Sequence, residues 1–233
     1  MKSMDSIVQS SAYFGFFITL FGYWVSTQIA KRMRSTLCNP LLLTIIFIIA
    51  FLKLADISYA SYDNGAKYIN YFLTPSTVCL AVPLYRQLKL LKEYAGAILI
   101  SIMSGTAACA IMIFGLAKLF LLENSIYASL VPKSITTAIA LGMSEELGGL
   151  SAVTAMAVFV TGILGAVIAN TVFKIFKIED PVAQGLAMGT ASHAIGTSKA
   201  LELGEIQAAM SSLAIAVTGI LTVIVGPIVA GFY

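Results

Sequence analysis

The sequence predicts an all-α, polytopic integral membrane protein. It calls for about six to eight membrane-embedded segments, with discontinuous or re-entrant helices in an inverted repeat. Three observations lead there. Of 233 residues, 59% are hydrophobic and 11% are charged, against about 25% charged in soluble domains. Several uncharged runs reach the roughly 20 residues that cross a bilayer. Finally, Ser104-Gly105, Thr161-Gly162 and Thr218-Gly219 recur at an interval of 57 residues.

The elements follow in order. The run from Ile7 to Ala30 exceeds a signal-peptide core of roughly 7–15 residues, so it is read as a span. Lys31, Arg32 and Arg34 close it and mark a cytoplasmic end, which puts the N-terminus outside. Asn39-Pro40 opens a second span, Leu41 to Leu52. Residues 53–67 carry Lys53, Asp56, Asp63 and Lys67 with the turn signal Asn64-Gly65, and read as an external loop. Residues 68–85 are apolar but interrupted by Thr74-Pro75 and Pro83. Arg86, Lys89 and Lys92 follow and suit the cytoplasm. Tyr94 to Leu122 is a long span. Residues 126–149 are interrupted by Pro132-Lys133 and by Ser144-Glu145-Glu146. Leu150 to Phe173 is a clean span ending in Lys174 and Lys177. Residues 181–205 hold the single histidine, His193, among Gly, Ala, Ser and Thr. A last span runs from about Gln207. Residues 1–65 thus form a two-span scaffold. Residues 66–233 form a transport core with units 66–122, 123–179 and 180–233.

The interval of 57 extends beyond the dipeptides. TGIL stands at 161–164 and again at 218–221, and PSTVCLAVPL (75–84) falls on PKSITTAIAL (132–141). The third unit matches more loosely, with TASHAIGTS in the place of the broken element. Each unit reads as a broken, hydroxyl-rich half-helix followed by a span with a small-residue notch. Chance likeness between apolar segments is the competing reading. The basic clusters at 86–92 and 174–177 both prefer the cytoplasm, so spans 94–122 and 150–173 run in opposite directions. Residues 126–149 must then enter and leave on the external side as a re-entrant hairpin. The first unit fits less well, because 68–85 needs a full crossing.

The broken elements supply candidate substrate-binding residues: Ser76 and Thr77; Ser134, Thr136 and Thr137; Ser192, His193, Thr197 and Ser198. A half-helix start inside a membrane presents unpaired N–H groups and partial positive charge, a receptor for a carboxylate. Helix-packing contacts are the plainer reading of the same hydroxyls. Candidates for coupling or gating are His193, Glu145, Glu146 and Lys199. His193 titrates near neutral pH, and ionisable groups inside membranes tend to be functional. Its alternative is a neutral ring bonded to a backbone carbonyl. Glu145 and Glu146 also suit a solvated hairpin end, and Lys199 with Glu202 suits the cytoplasmic surface.

Several classes are excluded or disfavoured. There is no GxSxG, Walker motif, dinucleotide fingerprint or metal-ligand spacing, so neither an enzyme, a cofactor nor a metal is expected. An intramembrane hydrolase pairing Ser144 with His193 is the one enzymatic alternative. Net charge is only +3, with no basic stripe for nucleic acid. Cys38, Cys79 and Cys109 read as small buried hydrophobes.

LTPSTVCLAVPLYRQ (73–87), VPKSITTAIALGMSEELGG (131–149) and GTASHAIGTSKALELGE (189–205), in that order, resemble the LrgB/CidB family. The likeness runs through nearly the whole chain, including Cys38-Asn39-Pro40. Pro132, Lys133, Ser134, Thr136 and Thr137 fall on one family motif, and Ser192, His193, Gly196 and Thr197 on another. Ala138 stands where the family pattern has proline, which implies a milder helix break. The resemblance implies one of two activities. One is an antiholin-like protein acting on murein hydrolase export and autolysis, paired with a small LrgA/CidA-type membrane protein. The other is a carrier of small carboxylates, like relatives handling pyruvate in bacteria or glycolate and glycerate in plastids. Broken helices with hydroxyl clusters favour the second: a secondary monocarboxylate transporter, with proton coupling at His193 as an option. The expected setting is a bacterial cytoplasmic membrane, with the chain as a homo-oligomer or beside that small partner.

Overall fold

The computed structural model describes residues 11, 13–33, 40–72, 75, 78–79 and 81–233. Ser76, Thr77 and Cys38 lie outside them. Regular structure among the described residues is helical. Internal contacts divide the chain into residues 1–79 and 80–233.

In the first unit, α1 (Phe14–Met33) packs against α2 (Pro40–Leu54) and α3 (Tyr59–Asn70). The expected loop at 53–67 is largely helical instead. Ser58 caps α3 by accepting from the Ser61 amide at 3.2 Å, the ordinary N-cap chemistry. Asn64-Gly65 is therefore no turn. Gly65 is buried where a side chain would meet the Gly15 amide at 2.6 Å. Asp63, Asn64 and Lys67 face outward on the same helix. The polar residues that suggested a loop are the solvent stripe of an amphipathic helix. Tyr62 reaches across to share a hydrogen bond with Thr19 at 2.7 Å. Cys79 is exposed, contrary to the expectation of a buried side chain.

The second unit opens with two short helices, α4 (Ala81–Arg86) and α5 (Leu88–Glu93). Three helices are then long and apolar enough to span a membrane: α6 (Ala95–Phe120), α9 (Ser151–Ile175) and α11 (Glu205–Ala230). The chain is a membrane protein. At 1.5 Å per residue each of these helices exceeds the roughly 30 Å hydrocarbon core.

Two broken elements separate these spans. The first consists of α7 (Asn124–Leu130), an irregular stretch at 131–136, and α8 (Thr137–Glu146). Its contacts along α11 give its path. Tyr127 donates to the Val229 carbonyl at 2.9 Å. Val131 and Met143 both border Gly226, whereas Ile139 borders Gly219. The chain therefore goes in and comes back out on the same side. Its base is tied to α9 by the Leu150 amide donating to Ser129 Oγ at 2.7 Å and by Thr154 donating to Ser144 Oγ at 2.6 Å. This is the expected re-entrant hairpin. The break is complete despite Ala138, because Thr136 is extended at ψ 141° and restarts the helix.

The second broken element is α10 (Pro181–Leu203), whose helical geometry fails at His193, with φ 43° and ψ −137°. Positive φ is costly for a residue with a Cβ. Here the chain reverses. Gly196 lies against the Met188 carbonyl, where a side chain would meet it at 2.5 Å. Gly185 packs on Gln207 and Met210, and Gly189 on Ser211 and Ala214, so the first arm runs parallel to the start of α11. The second arm returns to Gly204, where α11 begins. The first hairpin thus opens at the C-terminal end of α11 and the second at its N-terminal end. They form an inverted pair. Asn124 to Pro181 and Glu146 to Leu203 are both 57 residues apart. The third unit keeps the interval in structure more faithfully than in sequence.

Candidate functional site

The two hairpin tips converge near the middle of the spans. Ser134, on the first tip, is buried and shares a hydrogen bond with Cys109 at 3.2 Å. Cys109 lies just past the midpoint of α6. The second tip rests on α9, where His193 Nε2 donates to the Val158 carbonyl at 3.0 Å. A carbonyl only accepts, so this bond places the ring proton on Nε2. Gly162 makes room for the ring: a methyl there would stand 2.7 Å from Cε1. Gly165, one turn on, makes room for Ser192. The small-residue notches read from sequence are where hairpin tips seat.

A groove of about 820 Å³ lies between the tips. It is walled by α6, α9, the first tip and the first arm of α10. Its polar lining is Ser101, Ser104, Lys133, Ser134, Thr161, Thr190 and Ser192. Lys133 is half-buried, and its ammonium donates to Ser134 Oγ at 3.4 Å. No carboxylate lines the groove. Among the described residues the ion pairs are Arg86 with Glu205 and Lys199 with Glu202, and Lys133 is in neither. A half-buried cation amid hydroxyls suits a small anion, because burying a charge without a counter-charge is unfavourable.

Of the residues singled out from sequence, Ser134 and Ser192 line this groove. His193 and Thr197 sit behind it. Thr197 is fully buried, donates to the His193 carbonyl at 3.1 Å and shares a hydrogen bond with Ser211 at 2.7 Å. These contacts hold the reversed arm. Thr136 and Thr137 are half-buried at the start of α8. Ser198 is exposed and bonds its own helix at Ala194. Glu145 and Glu146 are exposed at the base of the first hairpin, where Ser151 donates to Glu145 at 2.9 Å. Lys199 pairs with Glu202. Ser144 and His193 share no hydrogen bond; their polar atoms are held by Thr154 and Val158. Among the described residues no His, Cys, Asp and Glu cluster is placed to hold a metal ion.

Sequence reasoning treated Lys133 only as part of a helix break and a family motif, and it passed over Thr190. Thr161 stood out only as a repeat marker.

This arrangement of inverted hairpins carries the motifs of a known family, and its model, described as LrgB-like, matches residues 19–232. The chain belongs to the LrgB-like family. Among similar proteins, Antiholin-like protein LrgB of Bacillus subtilis (strain 168) is 38% identical over 94% of this chain and 95% of that protein. Antiholin-like protein LrgB of Bacillus cereus (strain B4264) is 38% identical over 94% of this chain and 96% of its own length. No solved structure matches at a significant level.

Proposed function

We propose that this LrgB-like chain is a secondary carrier of small monocarboxylates, of the pyruvate, glycolate or glycerate class, and not an enzyme. The observation that supports this reading is the groove between opposed hairpin tips, with Lys133 as its one charge. Paired discontinuous elements at the midplane are how many transporters build a site that opens to either side. Hydroxyls of Ser134, Thr161, Thr190 and Ser192 add neutral donors. In this reading His193 positions the second tip, since its Nε2 is engaged by Val158 and the ring does not line the groove. The same proposal places the protein in a bacterial cytoplasmic membrane with its N-terminus outside. It pairs the chain with further copies or with a small LrgA/CidA-type protein as an immobile scaffold.

The relatives' names, antiholin-like, favour a second reading, which the family resemblance ties to murein hydrolase export and autolysis. Altered carboxylate flux would connect the two. Uptake of labelled pyruvate into proteoliposomes, with and without the small partner, separates them. Saturable, selective uptake supports the carrier. Linear leakage of unrelated solutes defeats it.

A further inference from the structure

A second, smaller cavity of about 30 Å³ adjoins the groove and shares Cys109, Ser134 and Thr190 with it. It lies between the first hairpin tip, α6, α10 and α11. Thr106, Thr218 and Thr222 complete its polar wall. Thr218 is 2% exposed, and its Oγ1 has no hydrogen-bond partner among the described residues. A buried hydroxyl without a partner is unfavourable, and buried polar groups are nearly always satisfied. The space is enough for a small polar group and too little for a whole metabolite.

The rest of the wall is apolar and the Thr106 hydroxyl donates to the Ile102 carbonyl, so two charged ligand types suit the remaining hydroxyls: an alkali cation held by oxygen lone pairs, or an anion held by O–H donors. Charge decides between them. No carboxylate lines the cavity, and the Lys133 ammonium bonds Ser134, which does. A cation there would face Lys133 with nothing to offset the repulsion, whereas an anion gains from it.

We propose that this cavity is the subsite for the carboxylate head of the transported solute. Thr218 donates to one carboxylate oxygen, Thr222 and Ser134 complete the ring of donors, and Lys133 balances the charge. The rest of the solute projects into the larger groove. The assignment rests on the carrier reading, yet it has its own readout. Thr218 stands 57 residues after Thr161, so the repeat offers equivalent hydroxyls on α9 and α11, and Thr218 is the one enclosed.

The test is Thr218→Val, which keeps the shape and removes the hydroxyl. Because Thr218 Oγ1 bonds none of the described residues, a purely structural role predicts an unchanged or higher Tm and no other effect. The subsite predicts more. Acetate or pyruvate raises the Tm of the wild-type protein in detergent, and neutral acetamide does not. Thr218→Val weakens that carboxylate response by at least about tenfold in half-saturating concentration, the scale of one lost hydrogen bond to a charged group. Thr218→Ser restores it. A wild-type protein indifferent to every carboxylate, or a Thr218→Val protein with an unchanged response, overturns the subsite. Carboxylate binding without pyruvate uptake in proteoliposomes leaves the subsite standing and removes the carrier reading instead.

Discussion

Gly162→Ala tests how the second hairpin tip is held. A methyl at 162 would stand 2.7 Å from His193 Cε1, 2.8 Å from Nε2 and 2.8 Å from Ile195 Cδ1. Non-bonded carbons prefer about 3.5–4.0 Å. The imidazole is 3% exposed, so it has no route to solvent. Moving it breaks the 3.0 Å bond to the Val158 carbonyl. Overpacking costs about 1–3 kcal/mol, and the buried imidazole N–H left without its acceptor costs about 1–3 kcal/mol more. Replacing a mid-helix glycine by alanine returns about 0.5–1 kcal/mol. The balance is a loss of about 1–5 kcal/mol, or roughly 2–20 °C in Tm. Gly96→Ala in α6 is the control, since a methyl there meets nothing within 4 Å among the described residues. Thermal unfolding of both variants in one detergent, followed by far-UV circular dichroism, measures the difference. If Gly162→Ala melts with Gly96→Ala, the ring does not seat in the notch and the account of the tip is wrong.

Other outcomes follow from the same geometry. Lys133→Gln is expected to reduce carboxylate uptake at least tenfold, the scale of a lost charge-assisted contact; tracer uptake at fixed expression reads it, and retained uptake removes Lys133 from the site. His193→Gln is expected to lower Tm and leave the pH profile of uptake unchanged, and a flattened profile would reinstate proton coupling there. Ser211→Ala removes a buried 2.7 Å bond to Thr197 and is expected to cost about 1–3 kcal/mol without altering half-saturation; a changed half-saturation with unchanged Tm would contradict a structural role. Arg86→Ala is expected to change Tm by less than about 1 kcal/mol equivalent, because both members of its pair with Glu205 are more than 60% exposed and solvent screens them.

Much of the fold was legible because membranes leave few choices. The long spans were marked by uninterrupted apolar runs, and their ends lie within a few residues of α6, α9 and α11. The first hairpin was legible from charge placement together with Pro132. Two features hid from pattern reading. Asn64-Gly65 carries the residues of a turn, yet Gly65 serves the close approach of α3 to α1. That contact is tertiary, and no local signal separates a packing glycine from a turning one. The break within TASHAIGTS is legible from its place in the repeat, but the full reversal at His193 is not, because no proline stands at the break itself. It depends on Gly196, Thr197 and Val158 from later turns and another helix. The site was half legible. Hydroxyls at the breaks pointed to Ser134 and Ser192. Thr218 looked like a repeat marker on an ordinary span, and only packing shows its hydroxyl without a partner.

The central feature of the fold is a pair of hairpins that enter the membrane from opposite faces. Glu146 ends the outgoing arm of the first, and Glu202 lies near the end of the returning arm of the second. Both are exposed. Single cysteines at these positions, in a background with Cys38, Cys79 and Cys109 replaced, can be probed in sealed vesicles of known orientation with a membrane-impermeant thiol reagent. The account predicts that one site reacts only from outside the vesicle and the other only after the interior is exposed. Labelling of both from the same side would contradict it.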